Sequence, residues 1–289
     1  MTDPAHRPAD VIRVTRGAPA ALIDTLAVEE PLEIRLATAG EAGRPISITM
    51  RTPGHDAELA AGFLMGEGLV RSASDIAGIV EDDATGCGRS AGNTLTVVVR
   101  PGLAIDPARL ERHFYTTSSC GVCGKASLDA LEALNPPAIR PRLPEIGPDV
   151  VHRLPGLLRE CQPVFSRTGG LHGAGLVTPE GVMMHCREDV GRHNAVDKTL
   201  GRALLDGSCP LSDCILLLSG RASFELIQKG AMAGIPIVAA VGAPSTLAVD
   251  YASRRGMTLL GFVRDTHFNV YTGAERIASL EPVLPILTP

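Results

Sequence analysis

Tryptophan is absent from this chain of 289 residues, and aromatic residues make up only 3% of it. The core must therefore be built from aliphatic side chains, which the 45% of hydrophobic residues can supply. No run of about 18 apolar residues occurs, which argues against a membrane-spanning helix. The polar start of the chain, MTDPAHRPAD, lacks the apolar stretch of a secretory signal. We therefore expect a cytoplasmic protein with no membrane partner.

Positive charge is also scarce, because 27 Lys and Arg face 32 Asp and Glu and give a formal net charge of −5. Nucleic-acid-binding proteins are usually basic, so we expect no nucleic-acid partner. One small anion held in a local basic pocket is compatible with this balance. The seven cysteines are an odd number, and in a cytoplasmic protein they indicate reduced thiols.

The sequence patterns change along the chain and predict two domains. Alternating apolar and polar residues predict strands at 11–16, 31–38, 45–52 and 93–100, with a helix over 56–70. We expect a disordered start at 1–10, a smaller N-terminal α+β domain at 11–135 that ends in a two-cysteine loop and helix, a proline-rich linker at 136–160, and a C-terminal α/β domain at 161–289.

The C-terminal domain is predicted to contain a mostly parallel sheet with helices on its faces, because strands and helices alternate after a hairpin over 174–189. Ligands of such sheets bind beyond the carboxyl ends of the strands. Glycine-rich turns and basic side chains follow several predicted strands, which favours an anion pocket there. The candidate residues are His172, Arg187, His193, Ser219, Gly220, Arg221 and Lys229.

The segment TTSSCGVCGKASL contains a pair of thiols, Cys120 and Cys123, separated by two residues. Structural zinc needs four ligands, and no second C-x-x-C pair exists, so zinc is the weakest interpretation. A redox pair and a sulfur-carrying thiolate remain open at this point. The small, flexible flanking residues would expose a thiol to its partners. Lys125 and the start of the following helix would lower the pKa of that thiol. A persulfide carrier requires both properties.

Long blocks of the sequence resemble the formate dehydrogenase accessory sulfurtransferase family, FdhD. The blocks are TTSSCGVCGKASL, SRTGGLHGAGL, REDVGRHNAVDKTLG, SGRASFELIQKGAMAGIPIVAAVGAPSTLAV and GFVRDTHFNVYTGAERI, and the likeness spans about residues 11–277. It implies a cytoplasmic homodimer that takes sulfur from a cysteine desulfurase. It implies a persulfide on Cys120, with Cys123 as its partner. The sulfur would pass to the Mo-bis(molybdopterin guanine dinucleotide) cofactor, the bound substrate, before its insertion into the formate dehydrogenase catalytic subunit.

The resemblance also assigns cofactor binding to the segment FVRDTH: Phe262, Val263, Arg264, Asp265, Thr266 and His267. It implies a C-terminal domain of the cytidine-deaminase-like fold. The zinc-binding pattern of deaminases, H-x-E followed by P-C-x-x-C, is not matched by HNAVD and SGRASFE, so we expect no intrinsic metal. The alternative function is a non-catalytic cofactor-binding chaperone in which the two thiols are structural or redox-regulatory.

Overall fold

A computed structural model of the protein describes residues 4–81, 92–103, 105 and 134–278. Within these ranges the fold is a mixed α+β arrangement. The strands are β1 His6–Thr15, β2 Ala18–Ala27, β3 Glu30–Thr38, β4 Arg44–Arg51, β5 Ile76–Glu81, β6 Thr94–Val99, β7 His172–Val177, β8 Met183–Asp189, β9 Ile215–Leu218, β10 Ile237–Ala240, β11 Thr258–Gly261 and β12 Asn269–Thr272. The helices are α1 Asp56–Gly66, α2 Pro148–Glu160, α3 Pro163–Thr168, α4 Arg192–Leu205, α5 Phe224–Met232 and α6 Thr246–Arg254.

The described strands form three sheets. β1 and β2 pair as a hairpin, the second sheet has the order β4-β3-β6-β5, and the third has the order β12-β11-β10-β9-β7-β8. In the third sheet only β9, β10 and β11 are paired in parallel, while the β11–β12, β9–β7 and β7–β8 pairs are antiparallel. The prediction of a mostly parallel sheet was therefore wrong: the sheet is mixed. The reason is that hairpins precede and follow the alternating strands and helices, and hairpin strands pair antiparallel.

Helices cover both faces of the third sheet, as predicted. Along β9, Leu216 and Leu218 belong to the cluster that includes residues of α4, α5 and α6, while Ile215 and Leu217 face α2. Because successive side chains of a strand point to opposite faces, one continuous apolar run can serve two cores. The run DCILLLSG is therefore explained by burial on both sides.

α1 and α4 join the two halves of the molecule. Both helices are so close that a Cβ atom on Gly62 would lie 1.9 Å from the backbone oxygen of Asp197, and one on Gly201 would lie 1.8 Å from that of Glu58. Only glycine fits such an approach of two backbones. As a result, buried apolar residues of the β3 sheet and of the β9 sheet belong to one continuous cluster.

Two boundary predictions were wrong. Residues 6–10, expected to be disordered, are the first half of β1 and pair with β2 from His6↔Ala27 onward. Pro8 and the polar residues beside it hide this strand in the sequence, and it becomes visible only through its partner. Residues 148–160, expected as part of a linker, form α2, which buries Val151, Leu154 and Leu158. Pro148 is the first residue of that helix, a position where proline is well tolerated.

No helix in the described ranges is long and apolar enough to cross a membrane. Cys120 and Cys123 lie outside the described residues, as does the helix expected after them.

Candidate functional site

The carboxyl ends of β9, β10 and β11 lie at one edge of the third sheet because these strands are parallel. β7 runs the opposite way, so its first residue, His172, lies at the same edge, paired with Asp189 at the end of β8. We call this region the strand-end edge and define it as residues 172, 189–193, 219–223, 241–245 and 262–267.

Backbone hydrogen bonds hold the loops of the strand-end edge together. The Gly173 N–H donates to Ser219 Oγ at 2.8 Å, and the Ser219 N–H donates to the Gly173 carbonyl at 3.0 Å. The Gly242 N–H donates to the Gly220 carbonyl at 2.9 Å, which joins the next two loops. Ser219 and Gly220 therefore lie in the edge, as predicted from the turn SGRAS, and Ser219 fixes its geometry.

Three helices begin at this edge: α4 at Arg192, α5 at Phe224 and α6 at Thr246. In α4 the first helical hydrogen bond is donated by the Ala195 N–H to the Gly191 carbonyl. The N–H groups of the preceding residues have no acceptor within the helix. Convergent helix starts give the edge a partial positive charge and suit it to anions.

Cationic side chains add to this charge. His172 is partly buried, and burial together with the charges of Arg192, His193 and Arg221 lowers its pKa. His193 Nε2 lies 2.7 Å from Glu225 Oε2 and 3.4 Å from Ser223 Oγ. The structure thus brings together His172, His193 and Arg221, which were selected from the sequence on three separate segments.

The segment Phe262–His267 also lies at this edge. Arg264 Nη1 donates to the Val241 carbonyl at 2.7 Å and to the Val263 carbonyl at 2.8 Å, so its guanidinium ties two loops. Phe262 has a φ of 51° and is 39% exposed. A left-handed conformation is strained for a bulky residue, and such strain concentrates at functional sites. Val263 is buried, whereas Asp265, Thr266 and His267 are exposed.

The structure separates Arg187 and Lys229 from the other candidates. Arg187 Nη2 donates to Glu58 Oε1 at 2.8 Å, and Lys229 Nζ lies 2.7 and 2.9 Å from the two carboxylate oxygens of Asp197. Both cations therefore lie at the contact of α1 with the second half of the chain, where carboxylates already neutralise them.

A buried polar network at Asp189 was not expected from the sequence. Asp189 is fully buried, lies 2.7 Å from Lys198 Nζ, and accepts hydrogen bonds from the N–H groups of Thr52 and Gly191. Asn194 Nδ2 donates to the same carboxylate at 3.0 Å. These bonds fix the turn that starts α4. Many of the polar residues of REDVGRHNAVDK therefore have a structural role. Only the contact with Thr52, in the segment between β4 and α1, could have shown this.

Arg192 is the cation that the sequence-based selection missed. Its Nε atom is buried and has no hydrogen-bond partner within the described part of the chain. No described carboxylate forms an ion pair with it. The signal in the sequence was an arginine immediately after Gly191 at a helix start, a position where a basic residue opposes the helix dipole.

Three of the described thiols are poor nucleophiles. Burial raises the pKa of Cys186 to about 12 and those of Cys209 and Cys214 to about 11. Cys214 is also part of the apolar core, as predicted. Across residues 4–81, 92–103, 105 and 134–278, no three His, Cys, Asp or Glu side chains lie close enough together to hold a metal ion.

Comparison with known proteins shows to which family the chain belongs. The model of the FdhD/NarQ family matches residues 27–278, so the chain belongs to this family. It is 54% identical over 270 residues to the sulfur carrier protein FdhD of Streptomyces avermitilis, covering 93% of this chain and 94% of that protein. It is 50% identical over 260 residues to the sulfur carrier protein FdhD of Mycobacterium tuberculosis, covering 88% and 92%.

Among solved structures, the chain resembles a candidate formate dehydrogenase accessory protein from Desulfotalea psychrophila. The TM-score is 0.71 and the sequence identity 25%, and the match covers 95% of this chain and all of the other. The sequence-based family resemblance is therefore confirmed.

Proposed function

We propose that this protein is a sulfur carrier that supports the maturation of a formate dehydrogenase. The observation that carries the proposal is the match of nearly the whole chain to relatives named sulfur carrier protein FdhD, at 54% and 50% identity. The likeness to a candidate formate dehydrogenase accessory protein supports the enzyme class that is served. The formate dehydrogenase catalytic subunit and a cysteine desulfurase are then the expected partners.

In the first step, the Cys120 thiolate attacks the outer sulfur of a persulfide on the desulfurase. A new S–S bond forms on Cys120, the S–S bond of the desulfurase breaks, and the desulfurase cysteine leaves as a thiolate. Attack requires a thiolate, and three of the described thiols hold their protons because their pKa lies near 11 or 12. The two-cysteine loop is therefore the better place for the chemistry.

In the second step, the sulfur passes to molybdenum in the Mo-bis(molybdopterin guanine dinucleotide) substrate. The Cys123 thiolate attacks the inner sulfur of the Cys120 persulfide, which forms a Cys120–Cys123 disulfide and releases the outer sulfur as sulfide to the metal. The outer sulfur gains two electrons, which the two cysteines lose. A cellular dithiol reductant then restores both thiols.

The strand-end edge is the proposed place for the guanine dinucleotide substrate. Phosphate groups suit the helix starts of α4, α5 and α6 together with Arg192 and Arg221, neither of which is paired with a described carboxylate. Phe262 offers an exposed ring at the same edge.

The remaining expectations belong to the same proposal. The order of the third sheet from β8 to β11, with β7 antiparallel to β9, supports the cytidine-deaminase-like architecture implied by the sequence resemblance. The protein is proposed to act in the cytoplasm as a homodimer.

Complementation of a strain lacking this gene tests the function. Cys120→Ala should abolish formate dehydrogenase activity, and Cys161→Ala, the control at a thiol of the described part of the chain, should restore it. Full activity with Cys120→Ala would reject the carrier and favour the cofactor-binding chaperone, whose cleft needs no thiol.

A further inference from the structure

Three sulfur-containing side chains meet near the amino ends of β9 and β10, away from the strand-end edge. Met65 belongs to the last turn of α1, Met232 is the last residue of α5, and Cys209 lies in the loop between α4 and β9. All three line one cavity of about 180 Å³. The Leu211 N–H donates to the Ala233 carbonyl at 2.8 Å, which fixes the loop of Cys209 against the end of α5.

The spacing of the sulfur atoms is that of two ligands on one metal ion. Cys209 Sγ lies 3.9 Å from Met65 Sδ. Two sulfur atoms that bind one ion at about 2.3 Å each, with an angle of about 120° between the bonds, lie about 4 Å apart. Met65 and Met232 are only 1% and 6% exposed, so their thioethers are withheld from water and directed to the cavity.

The cavity distinguishes this cluster from ordinary core packing. Protein interiors are close-packed and leave few voids larger than a water molecule, yet here space remains beside three polarizable donors. None of the described lining residues is a carboxylate or a histidine. Arg71 also lines the cavity, but its guanidinium donates to the carbonyls of Leu134 and Asn135. The only donors left for a ligand are therefore sulfur atoms.

The donor set decides which ion fits. Thiolate and thioether ligands select soft ions such as Cu(I), whereas Zn²⁺ in structural sites has four ligands. Two of the three donors are thioethers, so the cluster is distinct from the His, Cys, Asp and Glu groups excluded above. One thiolate also neutralises a monovalent ion, which keeps a buried site free of net charge.

We propose that Cys209, Met65 and Met232 bind one Cu(I) ion through one thiolate and two thioethers. Three metal–sulfur bonds form, the proton of the Cys209 thiol is released to water, and the ligands that carried the ion leave. No electron is transferred. A coordinating thiol is deprotonated by the metal itself, so the protonated state of Cys209 in the free protein does not prevent binding.

The probe is Cu(I) alone, supplied without oxygen from a coloured Cu(I) chelator, and the measurement is competition for the ion. The two-cysteine segment would also bind Cu(I), so the full-length variant Cys120→Ala/Cys123→Ala is the reference protein. In this background Cys209→Ser should lose one equivalent of tightly bound Cu(I). Zn²⁺ should bind equally with and without Cys209→Ser.

The methionines provide the sharper part of the test. Met65→Leu and Met232→Leu should each weaken Cu(I) binding at least about 10-fold, because loss of a group that merely orients a ligand already costs about 10- to 100-fold. Met50→Leu is the matched control, since Met50 is an exposed methionine on β4. Equal melting temperatures would show that the variants fold. With selenomethionine in the protein, X-ray absorption at copper should show selenium neighbours.

Equal Cu(I) binding by the reference protein and its Cys209→Ser variant would overturn the inference. Loss in Cys209→Ser with unchanged affinity in both methionine variants, or no selenium next to copper, would show an isolated thiol and overturn it as well. Failure of this test leaves the sulfur carrier untouched, because the reference protein lacks both carrier thiols.

Discussion

The α1–α4 interface and the strand-end edge are both rich in charged side chains, but they differ in how many of their cations have a carboxylate partner. At the interface every cation described above has a carboxylate: Glu58 for Arg187, Asp189 for Lys198 and Asp197 for Lys229. At the edge, Arg192 and Arg221 have none among the described residues. Compensated charge holds the two halves of the molecule together, and uncompensated charge indicates a place for an anionic ligand.

This difference separates structural from functional residues within one short stretch, REDVGRHNAVDK. Arg187 and Lys198 serve the interface through Glu58 and the Thr52 carbonyl, and Asp189, at the border of the edge, neutralises Lys198. Arg192 and His193 lie at the edge. The same residue types thus have opposite roles a few positions apart, and the helix geometry of α4 decides which face each side chain takes.

The largest effect is expected from breaking the buried pair Lys198–Asp189. Lys198→Met should lower the free energy of unfolding by about 3–5 kcal/mol, because Asp189 would be left buried without its cation. Denaturant unfolding followed by circular dichroism measures this change. A loss of less than about 1 kcal/mol, the size typical of exposed pairs, would mean that the interface charges are not structural.

The close approach of α1 and α4 should be nearly as sensitive. Gly201→Ala places a Cβ against the Glu58 carbonyl and forces the helices apart, with an expected loss of about 1–3 kcal/mol or more. Gly207→Ala is not an equivalent control, because Gly207 has a positive φ. Gly156→Ala is better matched, since a Cβ there meets open space within a helix. Equal melting temperatures for Gly201→Ala and Gly156→Ala would contradict the packing described.

The Glu58–Arg187 pair should appear in the pH dependence of stability. Burial disfavours the ionised Glu58, but hydrogen bonds from Arg187 and His55 outweigh it and lower its pKa from 4.5 to about 2. Its contribution is therefore complete above pH 4.5 and is lost as pH falls toward 2. Glu58→Gln should flatten the stability profile in this window. An unchanged slope there would show that Glu58 does not carry this linkage.

The smallest effect is expected from an exposed pair on the same helix. Arg202→Gln removes the contact of Arg202 with Asp206, for which about 0.3–0.5 kcal/mol is expected, and a longer contact of 3.7 Å with Glu58. Thermal unfolding at low and high salt measures it. A loss comparable with that of Lys198→Met would erase the distinction between compensated interface charges and ordinary surface pairs.

The sequence predicted most elements whose pattern is local. The strands within 31–38, 45–52 and 93–100, α1, the β7–β8 hairpin and the helices of the second half are all present. β1 was predicted only in part and β2 was missed, because an exposed hairpin has no single buried face to reveal its period. α2 was missed because its two prolines resemble a linker.

The order of strands and turns predicted that the candidate residues follow the strand ends, and the structure brings most of them to one edge: His172, His193, Ser219, Gly220, Arg221 and residues 262–267. Arg187 and Lys229 were selected for their charge alone. Their partners, Glu58 and Asp197, are decided by the packing of α1, which the sequence does not reveal. The role of these residues in binding the cofactor stays a prediction.

Intact mass spectrometry tests the central claim, sulfur carriage on Cys120, most directly. The protein is incubated with a cysteine desulfurase and cysteine, beside Cys120→Ala and Cys161→Ala. We expect a gain of one sulfur atom in the wild type and in Cys161→Ala, reversed by reductant and absent in Cys120→Ala. No gain with a desulfurase that is active on another acceptor, or an equal gain in Cys120→Ala, would contradict it.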